Sequence, residues 1–290
     1  MAEIGLIGFA TALLVVAGPL ALWLAGWFRS SRPDEGPFPH WDWKLTVLSA
    51  LLYVLAFNLT FFIQELFLVL PKALTPGLRP ILFHNNHRWE GVSPLASLFQ
   101  GTGAMATLAS GIVCAFLLRR SIDRPAAIRL FLFWMGYSGL FMALPQIVIG
   151  AISSQSDLGM FMGYLGLGTG TKTVLALTAL VLIPCTAGWL GSLLPPWRQQ
   201  LVFRIVTLPA LLALPLITFF RMPREWIEVL MVPFVVSFIG VAWIQAGAWR
   251  ARPAADHAPA GSVSLAWPFG LVLGLLLLFQ LLLRPGIRFY

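Results

Sequence analysis

Long apolar runs, each about the length of a membrane crossing, alternate along this chain with short polar connections. Eight runs qualify: Ile4–Phe28, Leu45–Leu70, Leu95–Leu118, Ala127–Ile152, Thr173–Leu194, Leu201–Phe220, Trp226–Trp249 and Leu265–Leu283. Crossing a hydrocarbon core about 30 Å thick takes about 20 apolar residues. Backbone groups in lipid must bond within their own segment, so the runs read as helices. The pattern predicts an all-α polytopic integral membrane bundle of about eight transmembrane helices. Residues 1–249 form the bundle, 250–264 a flexible linker, and 265–290 a C-terminal transmembrane helix with its tail. Gly159–Gly170 is apolar but too short to span, and reads as a re-entrant or interfacial segment. His257, inside the linker, reads as a solvated residue without a role.

Composition agrees with the pattern. The chain is 59% hydrophobic and 10% charged, against roughly 25% charged in soluble domains. Its net charge of +8 would suggest nucleic acid in a soluble protein. Here the Lys and Arg residues cluster between apolar runs, where headgroups and topology account for them, and nucleic-acid binding is excluded as a class. Membrane lipids are the expected partners, and a bacterial inner membrane the expected location. Cys114 and Cys185 lie inside apolar runs and read as buried thiols. The first run has no basic residue before it and is longer than a signal core, so it reads as a retained helix. The odd-numbered connections hold eleven of the 19 Lys and Arg residues, with Arg119, Arg120, Arg124 and Arg129 crowding the third. Positive loops resist translocation, which puts both termini outside the cytoplasm. Pro19, Pro145, Pro184, Pro209, Pro215, Pro233 and Pro268 fall within runs. Each removes a helix hydrogen bond, and neighbouring helices must satisfy the freed carbonyls.

The candidate chemistry lies between Asn58 and Gly103. Asn58, Gln64 and Glu65 stand inside the second run, and Gln100-Gly101-Thr102-Gly103 opens the third. An ionisable group within a span costs about 2.5–3.5 kcal/mol on insertion scales, so it faces protein or water. Asn58 and Glu65, seven residues apart, share a helix face, with Lys72 or Arg79 as candidate charge partners. Asn58, Gln64 and Gln100 would line a polar path. His84 and His87 have the i, i+3 spacing that can bring two imidazoles to one metal, with Glu90 three residues further on. Asp157 adds a carboxylate if its connection lies on the same side, as an eight-span count requires. This set would hold a transition metal such as zinc. A loop-packing role for the histidines and an interhelical hydrogen bond for Glu65 are the structural alternatives. Gly166–Thr173 is not a phosphate loop, since Thr171 precedes Lys172 and no strand comes before it.

The segment Ile63-Gln64-Glu65-Leu66-Phe67-Leu68 resembles the transmembrane helix of site-2-protease-type membrane metalloproteases. In that family His-Glu-x-x-His supplies two zinc ligands and the general base, and a later aspartate is the third ligand. The resemblance implies Glu65 as the catalytic base and Asp157 as a ligand, with Gln64 and Leu68 standing where the histidines should be. Three functions follow from the sequence: a degenerate metallohydrolase or pseudoenzyme, a transporter or channel for a small solute or ion, and a non-catalytic membrane scaffold or assembly factor.

Overall fold

The computed structural model describes residues 2–29, 41–194, 199–223, 226–250 and 264–290. The body of the expected linker, including His257, lies outside them. Eight helices are long and apolar enough to cross a membrane: Ile4–Arg29, Trp43–Ala73, Leu95–Arg119, Ala126–Ile152, Thr169–Leu193, Phe203–Arg221, Glu228–Gly247 and Ala266–Leu283. They are called here the first to eighth spans. The second and fourth are the most enclosed, packing on each other and on the third; the fifth packs on the fourth, the sixth on the second, and the seventh lies against both the fifth and the sixth. At their centre the rings of Tyr53, Trp134, Tyr137 and Phe141 pack in series, Tyr53 tilted on Trp134 at 4.2 Å and Trp134 edge-on to Tyr137. The first span is held by tryptophans. Trp243 and Trp249 lie against Gly18 and Gly26 and donate to the carbonyls of Leu14 and Leu22.

The prolines set the local geometry of several spans. Pro19, Pro209 and Pro285 each follow by two residues a widened turn, at Leu13–Ala17, Phe203–Thr207 and Phe279–Leu283. A proline has no N–H and its ring collides with the carbonyl four residues back, and a wider turn relieves that collision. Two of the freed carbonyls have partners from neighbouring helices among the described residues. Pro209 deprives Ile205, whose carbonyl accepts instead from Ser49 Oγ at 2.6 Å, and Ser49 in turn accepts from Trp134 Nε1 at 2.9 Å. Pro71 deprives Phe67, whose carbonyl accepts from Thr102 Oγ1 at 2.6 Å.

Connections two, four and six and the C-terminal tail gather at one end of the bundle. The second connection is not a plain loop. It folds as a hairpin of β1 (Arg79–Leu82) and β2 (His87–Glu90), joined by β3 (Ile287–Arg288) from the tail in the antiparallel order β2-β1-β3. Gly91, at φ 97°, closes the hairpin where a Cβ would strike the Gly77 carbonyl. Asn85 Nδ2 donates to the Arg221 carbonyl at 2.8 Å and ties the hairpin to the end of the sixth span. In the fourth connection the short helix Asp157–Tyr164 occupies the first half of the segment expected to be re-entrant or interfacial, whose last two residues already belong to the fifth span. Phe161 from this helix packs on Gly101.

Candidate functional site

Glu65 lies eight residues before the end of the second span, about 12 Å along its axis. Its side chain turns into the protein and is buried. Facing it is His87, the first residue of β2, whose strand alternates buried and outward positions. His87 Nδ1 and Glu65 Oε2 are 2.8 Å apart. His87 Nε2 lies 3.0 Å from Gln100 Oε1 at the start of the third span. Lys72, fully buried in the last turn of the second span, donates from Nζ to the same Gln100 oxygen at 2.8 Å and to the Leu68 carbonyl at 2.9 Å. Trp89, two residues along β2 and so on the same side as His87, stacks on the imidazole at 5.7 Å between centroids. The Lys72 ammonium sits over the Trp89 ring at 4.6 Å.

The four residues Gln100-Gly101-Thr102-Gly103 place the third span against this cluster. Gln100 supplies the shared acceptor, Gly101 admits the Phe161 ring, and Thr102 takes the carbonyl freed by Pro71. A Cβ on Gly103 would stand 2.7 Å from Leu68 Cγ and 3.0 Å from Gln64 Cγ, so glycine is what lets the two spans approach here.

The hydrogen bonds constrain the protons. An ammonium can only donate, so Gln100 must present its carbonyl oxygen to Lys72. That same oxygen then accepts from His87, which puts a proton on Nε2. Nδ1 faces Glu65, so one further proton lies between the two groups. It either makes His87 an imidazolium beside a carboxylate or makes Glu65 a carboxylic acid donating to neutral Nδ1.

Asp157, first residue of the short helix capped by Ser156, comes to this end of the bundle as the eight-span parity requires. Burial pushes its carboxyl above the ordinary aspartate range. His87 opposes that shift, Glu65 adds to it, and Lys72 opposes it. Asp157 lines a cavity with Gln64 and Gln146, whose amides are joined by a 2.9 Å hydrogen bond from Gln146 Nε2 to Gln64 Oε1.

Other expected site residues lie elsewhere. Asn58 donates to the Val54 carbonyl of its own helix at 2.8 Å. His84 is buried in the hairpin turn beside Phe279 of the eighth span, with ring centroids 6.2 Å apart. Glu90 is exposed on β2 opposite Arg79. An i, i+3 pair converges on a helix or tight turn. Here the turn carries His84 and the strand carries His87, and their contacts are with different spans. Among the described residues no group of three or more His, Cys, Asp and Glu side chains is arranged to hold a metal. Read from the sequence, Lys72 is only a candidate partner for Glu65, Trp89 only an interfacial residue beside the histidines, and nothing singles out Gln146. The seven-residue spacing of Glu65 and Lys72 was the available signal, since it puts both on one helix face.

Fold and site together define a polytopic integral membrane protein with a buried, hydrogen-bonded charge cluster at one end of its bundle. Comparison with protein-family models, curated proteins and solved structures found no match.

Proposed function

We propose that this protein is a proton-coupled membrane protein of the carrier class, with Glu65–His87 as the group that takes up and releases the proton. One observation carries the reading: Gln100 Oε1 accepts from both Lys72 and His87, so a single proton is held between His87 and Glu65. Loss of that proton leaves one imidazole N–H for two acceptors, the Glu65 carboxylate and the Gln100 carbonyl. Gln100 cannot turn its amide without setting N–H groups against Lys72. An unmade buried hydrogen bond costs about 1–3 kcal/mol, so deprotonation loosens the hairpin, which carries His87, from the third span, which carries Gln100. The hairpin covers the site, and a proton that controls its seating couples protonation to access.

The hydrolase reading fits less well. Of the zinc-binding helix that Ile63–Leu68 resembles, Glu65 stands in place. Gln64 is held by Gln146 and position 68 is a leucine, so this donor set does not fit a zinc centre. Among the described residues His87 is hydrogen-bonded to Glu65 and Gln100, and to no Ser or Cys that it could activate. The arginine-rich third connection supports a cytoplasmic position for its own end, and so an outward-facing site at the other.

The test is infrared difference spectroscopy across a pH step on the protein in lipid. A titrating carboxyl or imidazole signal is expected that disappears in both Glu65→Gln and His87→Gln, with proton flux into proteoliposomes lost in the same two variants. Signals and flux unchanged in both variants would sink the proposal.

A further inference from the structure

Beside the proton site, a cavity of about 370 Å³ opens between the second, fourth and seventh spans and the start of the short helix. That volume is at the lower end of the range for small-molecule sites, about 300–1,000 Å³. One part of its wall is apolar, with Phe61, Met142 and Val235. Gln64, Gln146 and Asp157 supply polar groups. Ile149 and Met231 also line it and are 47% and 51% exposed on the outer surface of their spans, so it reaches the lipid-facing side. A molecule can enter from the bilayer without crossing the hairpin.

The polar groups select a head. The Gln146-to-Gln64 bond uses one donor and one acceptor, and the amide pair still offers N–H groups and the Gln146 oxygen. Asp157 is the one charged residue lining the cavity, and it has no hydrogen-bonded cation among the described residues. A carboxylate there accepts from a hydroxyl or an ammonium and repels an anion.

We infer that this cavity binds a single-chain amphiphile with a non-anionic, hydrogen-bond-donating head, its chain along Phe61, Met142 and Val235 and its head at Asp157 and the Gln64–Gln146 pair. This rests on the carrier reading for the claim that the bound molecule is the one handled. Its test measures binding alone at one pH, so it succeeds or fails separately from the proton experiment.

Tritiated octylamine and octanol are the probes, titrated by scintillation proximity onto the protein in nanodiscs, with empty nanodiscs subtracted. Saturable binding of at least one probe is expected, with no competition by octanoate. Octylamine binding above octanol assigns the head as an ammonium, and equal binding assigns it as a hydroxyl. Asp157→Asn should weaken an ammonium head about tenfold or more, the equivalent of a charge-assisted hydrogen bond. Val235→Phe, which fills the apolar wall, should weaken either head while the variant stays monodisperse. The inference is overturned by a lack of saturable binding of both probes, by octanoate competing as well as octylamine, or by binding indifferent to Val235→Phe.

Discussion

Replacing Gln100 with leucine tests the hydrogen-bond logic of the site directly. The side chain is buried and similar in size, so the perturbation is mainly the loss of one oxygen. That oxygen accepts from Lys72 at 2.8 Å and from His87 at 3.0 Å. A hydrogen bond involving a charged group contributes about 1.5–3 kcal/mol net. The Lys72 bond is charge-assisted, the His87 bond only in its imidazolium form, and the two converge on one atom, so Gln100→Leu should cost about 2–5 kcal/mol in all. Lys72 keeps its bond to Leu68 and its place over Trp89, which prevents the larger penalty of a wholly stranded charge. Gln64→Leu is the matched control. It also removes a buried glutamine, but loses a single neutral bond, to Gln146 of the fourth span, worth about 0.5–1.5 kcal/mol. Equilibrium unfolding in mixed micelles gives both free energies. If Gln100→Leu is no more destabilising than Gln64→Leu, Gln100 is not the shared acceptor, and the assignment of protons around His87 falls with it.

Other outcomes follow from the same geometry. Ser49→Ala should destabilise by about 1–3 kcal/mol, because it strips a partner from both the Ile205 carbonyl and Trp134. In a Pro209→Ala background, where residue 209 regains its N–H, the same change should cost less. Simple additivity across that double-mutant cycle would refute the carbonyl-rescue account. Burial raises the Asp157 carboxyl above its unfolded value of about 3.9, so the folded protein binds the extra proton and stability falls as pH rises through that interval. Asp157→Asn should therefore be more stable than the parent near neutral pH, with the gain shrinking on acidification and gone below the ordinary aspartate range. Thermal unfolding over a pH series measures it, and a gain that grows on acidification would contradict it. Topology reporters fused at Ser121 and Ser154 should report opposite sides, the first cytoplasmic, and equal activity at both would overturn the span count between them.

Much of this architecture was legible from residue pattern alone. Eight apolar runs of sufficient length become eight spans because lipid leaves an isolated segment no alternative to bonding its own backbone. Span parity placed the Asp157 connection at the same end as the hairpin, and Glu65 stood out because a carboxylate in a span needs a partner. The partner's identity was not legible. His84 and His87 are equivalent by spacing, and the hairpin register decides between them by turning His87 inward and leaving His84 in the turn. Lys72 follows Pro71 at the end of its apolar run and resembles an interfacial charge, yet its neighbours bury it completely. The prolines announced freed carbonyls, but Ser49 and Thr102 as their partners lie 156 and 35 residues away in the chain. Periodicity along a helix is a local property of the backbone and can be read from one segment. Hydrogen-bond pairing between segments depends on how the helices are rotated and how far they slide, and that is settled only when all the spans pack together.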